Sequence, residues 1–199
     1  MLLSFVFVVV HTLFAIGGSE VAPAPRDLRR APGVLQPFGV SEPPTAEVRA
    51  GETAPNFSYQ SSDGRWRRLR ELTDKGAVLL VFAPREHTLI RLEREREDLL
   101  KLGVITVVVL DVKAGAARSL VRRLDLDYMV LADPRCVLAA QFNAVDPITQ
   151  YAVPSWLVID RRGRVRGLQR GSLPVVGYPE VAAQALALPL PGGVLPSSK

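Results

Sequence analysis

Two runs that are apolar at nearly every position most constrain the fold of this chain. Ala77 to Ala83 reads Ala-Val-Leu-Leu-Val-Phe-Ala, and Val104 to Leu110 reads Val-Ile-Thr-Val-Val-Val-Leu. A strand that is covered on one face only alternates between apolar and polar residues, whereas a strand covered on both faces reads as a continuous apolar run. We therefore predict an α/β fold with a central sheet that carries helices on both of its faces.

Helix and strand patterns alternate around these two runs. Thr88 to Leu102 has helical spacing, with Leu89, Leu92, Leu99 and Leu100 on or near one stripe, and Gly103 follows as a C′ residue. Asp133 and Pro134 predict a helix start, with aspartate as N-cap and proline at the first helical position. The other predicted elements are helices over Ala114–Leu124, Asp133–Asn143 and Pro179–Leu188, and strands over Met129–Ala132, Ser155–Asp160 and Arg164–Gln169.

A β-hairpin is predicted on the N-terminal side of the first apolar run. Asn56 to Gln60 is its first strand, Ser61 to Gly64 is its turn, and Trp66 to Leu69 is its second strand. The Asp-Gly pair within the turn is a strong local signal for a hairpin. The late pair of strands, joined at Arg161 to Gly163, adds an antiparallel edge to the sheet.

The two ends of the chain are predicted to lie outside this domain. Residues 1–19 hold an apolar segment followed by Gly17-Gly18-Ser19, which suits a signal peptide or a short membrane anchor; a buried strand or helix is the structural alternative. Residues 20–50 contain six prolines and are predicted to be a linker. The domain itself spans 51–188, and 189–199 is predicted to be a disordered tail. We expect an exported protein, periplasmic or extracellular, or one tethered to a membrane by its N-terminus.

Composition argues against several kinds of site. A single cysteine, Cys136, excludes an internal disulfide, a Cys-x-x-Cys pair and a cysteine zinc site, and the two histidines do not suggest a metal site. We predict no metal and no cofactor. The net charge is +5, but arginine and glutamate are interleaved, as in Arg91–Asp98. This favours a mixed-charge surface and no nucleic-acid partner.

Five short segments together resemble one protein family. They are Gly51–Phe57 (G-x-x-A-P-x-F), Asp63–Leu72 (D-G-x-x-x-x-L-x-x-L), Val81–Pro84 (V-F-A-P), Leu131–Pro134 (L-A-D-P) and Val153–Gly163 (V-P-x-x-x-x-I-D-x-x-G). In order and spacing they resemble the redoxins of the thioredoxin-like fold, in the branch of the peroxiredoxins, the alkyl hydroperoxide reductases and the thiol-specific antioxidant proteins. The resemblance covers about residues 51–170. It implies a thioredoxin-like fold and an antioxidant thiol oxidoreductase or peroxidase activity.

The resemblance also places the family's peroxide site at Pro84, Thr88 and Arg91. This segment reads P-x-x-x-T-x-x-R, where the family carries P-x-x-x-T-x-x-C with the peroxide-reducing cysteine last. The family's second arginine falls at 153–155, which holds Val-Pro-Ser, and Pro154 instead resembles the cis-proline of the thioredoxin branch.

Arg91 has two interpretations. Arginine is permanently protonated and cannot replace a cysteine nucleophile in any step. The simpler interpretation is a surface or half-buried charge paired with Glu95 one turn on, which predicts that Arg91→Cys is tolerated. The alternative is an anion-binding arginine at a former active site.

Cys136 also has two interpretations. At position N3 of the predicted helix, beside Arg135, its thiol would have a lowered pKa and could serve as a relocated redox thiol or form an intermolecular disulfide. The simpler interpretation, which we favour, is a small half-buried residue in the first turn of a packing helix. Glu86 and His87 are adjacent in sequence and are expected to be loop residues at a helix start rather than an acid/base pair.

Two classes of function follow. By resemblance the protein is a peroxiredoxin-like antioxidant thiol oxidoreductase or peroxidase. By its residues it is a catalytically inactive redoxin, a pseudoenzyme that serves as an exported binding or scaffolding module for a protein partner. The sequence indicates no oligomeric state.

Overall fold

A computed structural model describes residues 7–9, 47–60 and 66–190. Its strands are β1 Phe7–Val9, β2 Ser58–Gln60, β3 Trp66–Arg68, β4 Ala77–Phe82, β5 Val104–Leu110, β6 Met129–Ala132, β7 Ser155–Ile159 and β8 Val165–Arg170. Its helices are α1 Leu69–Thr73, α2 Glu86–Arg94, α3 Arg96–Lys101, α4 Ala114–Leu124, α5 Val137–Gln141 and α6 Tyr178–Leu186. The predicted strands over the two apolar runs are confirmed, and both runs lie in the middle of the main sheet.

The main sheet is mixed and has six strands in the order β1-β6-β5-β4-β7-β8. Strands β4, β5, β6 and β1 run parallel, while β7 is antiparallel to β4 and β8 is antiparallel to β7. Strands β2 and β3 form a separate antiparallel hairpin, as predicted. The turn predicted between them, Ser61–Gly64, lies outside the described residues.

Two apolar cores lie on opposite faces of this sheet. Alternate residues of β4 divide between them, with Leu80 and Phe82 on one face and Leu79 and Val81 on the other. The first core is covered by the hairpin, α1 and α5. The second is covered by α2, α3, α4 and α6. The thioredoxin-like arrangement, with helices on both faces, is therefore confirmed.

The long helix predicted over Thr88–Leu102 starts earlier and is interrupted once. It begins at Glu86 and divides into α2 and α3 at Glu95, whose carboxylate accepts a hydrogen bond from the backbone N–H of Tyr178 at 2.8 Å. The predicted stripe is correct at Leu89, Leu92 and Leu99, which are buried, but wrong at Leu100, which is 52% exposed. Neighbouring helix positions lie about 100° apart, so Leu100 cannot share the buried face that Leu99 already occupies. Gly103 follows α3 at a φ of +69°, as a C′ glycine should.

Little of the predicted termini lies within the described residues. Phe7–Val9 pairs parallel with β6 at the edge of the sheet, and these three residues belong to the segment predicted to be a signal or an anchor. Of the linker predicted at 20–50, only 47–50 are described, and of the tail predicted at 189–199, only 189 and 190. Within the described ranges, no helix combines the length and the apolar character that a membrane span requires.

Candidate active site at the start of helix α2

The site implied by the resemblance lies where β4 passes into α2. Ala83 leaves the strand in a left-handed conformation with a φ of 44°, and Arg85 is the N-cap of α2. A non-glycine residue in this region is uncommon, and here it redirects the chain between the two elements. Pro84 is half-buried, and Thr88 is buried in the first turn, where its N–H donates to the Arg85 carbonyl at 2.9 Å.

Arg91 lies one turn further along α2 and is engaged through all three nitrogens of its guanidinium. Its Nε donates to Glu95 Oε1 at 2.8 Å, and its Nη1 donates to the Pro174 carbonyl at 3.0 Å. Its Nη2 donates to the Val176 carbonyl, and its Cζ lies 5.3 Å from the centre of the Tyr178 ring. Arg91 therefore fixes the segment that connects β8 to α6.

Glu95 and Tyr178 complete this arrangement, which we call the Arg91 clamp (Arg91, Glu95, Pro174, Val176 and Tyr178). Glu95 accepts from the Arg91 side chain with one oxygen and from the Tyr178 backbone N–H with the other. The Tyr178 ring is buried, and burial raises the pKa of its hydroxyl. A cation over a partly desolvated aromatic ring adds to the hydrogen bonds.

The clamp supports only part of the simpler interpretation of Arg91, and it does not support the anion-binding alternative. The predicted pair with Glu95 is confirmed. The guanidinium donates to two carbonyls and one carboxylate of the protein itself, so its cationic face is already occupied. Arg91 is therefore placed as a structural arginine rather than as an anion-binding one.

The second position implied by the resemblance also lies at this end of the sheet. Ser155 pairs with Phe82 at the end of β4, so Pro154 comes close to the β4–α2 junction. Every peptide bond of the described residues is trans, and the prediction of a cis-proline at Pro154 is wrong. Val153 donates to the Ala144 carbonyl at 2.9 Å on the approach to β7, and trans is the preferred isomer of an X–Pro bond.

Arg170 is an arginine at this end of the sheet that the motif did not indicate. It pairs with Ser155 across β7 and β8. Its Nη2 donates to the Val48 carbonyl at 2.5 Å, and its Nε lies 3.4 Å from the Phe142 carbonyl. Like Arg91, it binds backbone of the protein itself, and the sequence offers no signal for either carbonyl partner.

Cys136 lies on the other face of the sheet from α2. It belongs to the first apolar core and is 7% exposed, whereas Leu89 and Leu92 of α2 belong to the second core. The thiol therefore cannot act at the place where the family carries its nucleophile. Within the described residues, the structure brings no thiol to Pro84 and Thr88.

The predicted position of Cys136 at N3 of a helix is wrong. Helix α5 begins at Val137, and Cys136 is its N-cap, in a left-handed conformation with a φ of 52°. The helix starts late because the buried Asp133 carboxylate accepts from the N–H groups of Val137 at 2.8 Å and Ala139 at 3.0 Å, while the chain makes an extra turn.

The environment of Cys136 favours the thiol over the thiolate. Burial raises its pKa most, and the charges of Asp133 and Asp111 raise it further. A hydrogen bond from the Ala152 backbone opposes this shift in part. A position in the first turn of a helix predicts a lowered pKa for Cys136, and the structure gives the opposite direction because the side chain is buried in the first core.

The remaining polar candidates have no part in a reactive cluster. Glu86 is exposed and binds Arg123 through two contacts of 2.7 and 2.8 Å, and the hydrogen bond from Arg123 lowers its pKa. His87 is exposed at the start of α2. In the part of the chain that the structure describes, no group of three or more His, Cys, Asp or Glu residues could hold a metal ion.

The fold defines a redoxin domain, and Arg91 stands at the position where the resemblance implies the nucleophile. The model of the AhpC/TSA family matches residues 50–168, and the chain belongs to this family. A search of curated proteins gave no match.

Solved structures support the same fold. The peroxidoxin BcpB from Mycobacterium tuberculosis is 20% identical with a TM-score of 0.58, and the match covers 71% of this chain and 96% of that one. The reduced 2-Cys peroxiredoxin of Plasmodium vivax is 16% identical with a TM-score of 0.57, covering 69% and 94%. The mitochondrial 2-Cys peroxiredoxin of Plasmodium falciparum is 15% identical with a TM-score of 0.56, covering 70% and 93%. At these identities the likeness concerns the fold alone.

Proposed function

We propose that this member of the AhpC/TSA family is catalytically inactive towards peroxides and serves as a binding or scaffolding module for a protein partner. The Arg91 clamp carries the proposal. Peroxide reduction requires a thiolate that attacks the O–O bond, and the residue at that position is a cation with no nucleophilic electron pair. Its guanidinium donates to Glu95 and to two backbone carbonyls. The side chain at the position implied for the nucleophile therefore makes a structural contact.

The second candidate function is the antioxidant thiol peroxidase activity of the family, carried by Cys136. One observation favours it: the hydrogen bond from the Ala152 backbone stabilises the thiolate. In such a reaction the thiolate attacks a peroxide oxygen, the other oxygen leaves as water or alcohol, and an external thiol reduces the resulting sulfenic acid. Burial of Cys136 and its raised pKa oppose this candidate.

Peroxide consumption by the purified full chain, with dithiothreitol as reductant, distinguishes the two candidates. We expect the wild-type protein and Cys136→Ser to consume hydrogen peroxide at the rate of buffer alone. As a control on access to the thiol, iodoacetamide should label Cys136 at least about tenfold more slowly in the native protein than in urea. Turnover in the wild type that disappears in Cys136→Ser would overturn the proposal and establish the second candidate.

The place where the protein acts is also part of the proposal. Export, or a tether through the N-terminus, is supported by the apolar residues 2–16 and by the small residues Gly17-Gly18-Ser19 that follow. The pairing of Phe7–Val9 with β6 supports instead the alternative of a buried strand. We expect the protein recovered from its producing cell to have lost the mass of about residues 1–19 if the segment is a cleaved signal. An intact mass of the full chain in a membrane fraction would indicate an anchor, and an intact mass in the soluble cytoplasmic fraction would contradict both.

A further inference from the structure

Basic side chains gather at the end of the sheet opposite Pro84. Strand β4 begins there, and the β7–β8 turn Arg161–Gly163 lies beside its first residues because Val78 pairs with Ile159. Arg161 confirms this proximity, since its Nη2 donates to the Asp74 backbone carbonyl at 3.2 Å. The turn that carries Arg161 and Arg162 thus lies close to the end of α1.

A cleft of about 320 Å³ opens between α1 and this turn. Ala54 and Leu69, both buried, contribute apolar surface to it. Three arginines line it as well, namely Arg70, Arg161 and Arg162, against a single acidic residue, Asp74. The cleft therefore combines an apolar floor with a net positive charge.

Neighbouring carboxylates offset only part of the positive charge of this cleft. Arg70 and Arg162 are exposed, and neither makes an ion pair within the described residues. Asp160 lies next to the turn, where its Oδ1 accepts from the backbone N–H groups of Arg162 and Arg164, each at 2.9 Å. With Asp74 it supplies two negative charges against the three positive charges of Arg70, Arg161 and Arg162. The remaining positive charges repel one another, and a bound anionic ligand would reduce this repulsion.

We propose that this cleft is a binding site for a small phosphomonoester. Planar guanidinium groups match the oxygens of a phosphate and bind them with two parallel hydrogen bonds. Arg70 and Arg162 would hold the phosphate, and the apolar floor would contact a ring or short carbon chain attached to it. A volume of about 320 Å³ suits a ligand of that size, because small-molecule pockets start at about 300 Å³. The site is separate from the Arg91 clamp, so it is independent of the proposed function.

Titration of the full chain with phenyl phosphate tests this site, by calorimetry or by chemical shifts of the arginine side chains. We expect saturable binding that is tighter than that of inorganic phosphate, and no binding of phenol, which has the ring without the charge. Arg70→Gln and Arg162→Gln should each weaken binding by about tenfold, because each removes a charge-assisted contact. The matched control is Arg122→Gln, at an exposed arginine of α4, which should change affinity by less than about twofold.

Three results would overturn the proposal. The first is no saturable binding of phenyl phosphate at millimolar concentration. The second is equal weakening in Arg122→Gln, which would mean that net charge alone attracts the anion. The third concerns the source of the phosphate: vesicles of phosphatidic acid sediment the wild type but not Arg70→Gln, while phenyl phosphate fails to bind. That outcome would assign the surface to a lipid headgroup instead of a small molecule.

Discussion

Replacing Asp133 with alanine is expected to lower the free energy of unfolding by about 3 kcal/mol. The Asp133 side chain is 2% exposed, and its carboxylate accepts from the N–H groups of Val137 and Ala139 at the start of α5. Alanine removes both acceptors and leaves two backbone donors in or near the core without partners. Each unsatisfied buried donor costs about 1–3 kcal/mol, which outweighs the gain from removing a buried charge.

Urea unfolding followed by circular dichroism measures this loss, with the slope of the transition unchanged. The matched control is Asp111→Ala, because Asp111 is an exposed aspartate at the end of β5. Its loss should change the free energy of unfolding by less than about 0.5 kcal/mol. Equal effects at the two positions would show that the Asp133 cap does not hold α5 in place.

Asp133 also predicts a pH dependence of stability with a defined sign. Burial raises its pKa above the ordinary value of 3.8, although the backbone N–H groups oppose the shift. The folded state therefore binds the proton more tightly than the unfolded state. The stability that this difference contributes is present at low pH and is lost as the pH rises from 3.8 through the raised pKa. The free energy of unfolding of the wild type should fall over this range relative to Asp133→Asn, which does not titrate.

The residues that sequence analysis placed correctly are those whose structure depends on near neighbours or on a long pattern. The apolar runs of β4 and β5 correctly predicted the central strands of the sheet, because a strand that is buried on both faces is apolar at nearly every position. Helix α4 lies at its predicted bounds. Helix α1 was not predicted, because its five residues make little more than one turn and show no periodicity.

The errors at Cys136 and Arg91 have two different causes: a departure from regular helix geometry and contacts with residues distant in sequence. The pattern at Asp133 predicted that this residue is the N-cap and that the helix begins at Pro134, which is wrong because α5 begins at Val137 with Cys136 as its N-cap. The carboxylate instead reaches N–H groups four and six residues on, and this moves Cys136 to an N-cap position. Pairing of Arg91 with Glu95 was predictable because it is local, at i and i+4. Its contacts with Pro174 and Val176 lie 83 and 85 residues away and leave no local signal.

Replacing Arg91 with methionine is expected to lower the free energy of unfolding by about 2–3 kcal/mol. Methionine keeps most of the length of the side chain but removes the donors to Glu95, Pro174 and Val176 and the cation over the Tyr178 ring. The Arg91 side chain is 32% exposed, which reduces the loss below that of a fully buried ion pair. Arg91→Cys should be at least as destabilising, contrary to what the solvated interpretation of Arg91 predicts, because it also shortens the side chain.

Thermal and urea unfolding of Arg91→Met measure the loss, and Arg94→Met is the matched control. Arg94 is exposed in the last turn of the same helix and should change stability by less than about 0.5 kcal/mol. Arg91→Lys keeps the charge but not the planar fork, so it should restore only part of the loss. If Arg91→Met were as stable as Arg94→Met, the clamp would not hold α6 to α2. The guanidinium would then be free to act on a ligand, and the anion-binding interpretation of Arg91 would replace the structural one.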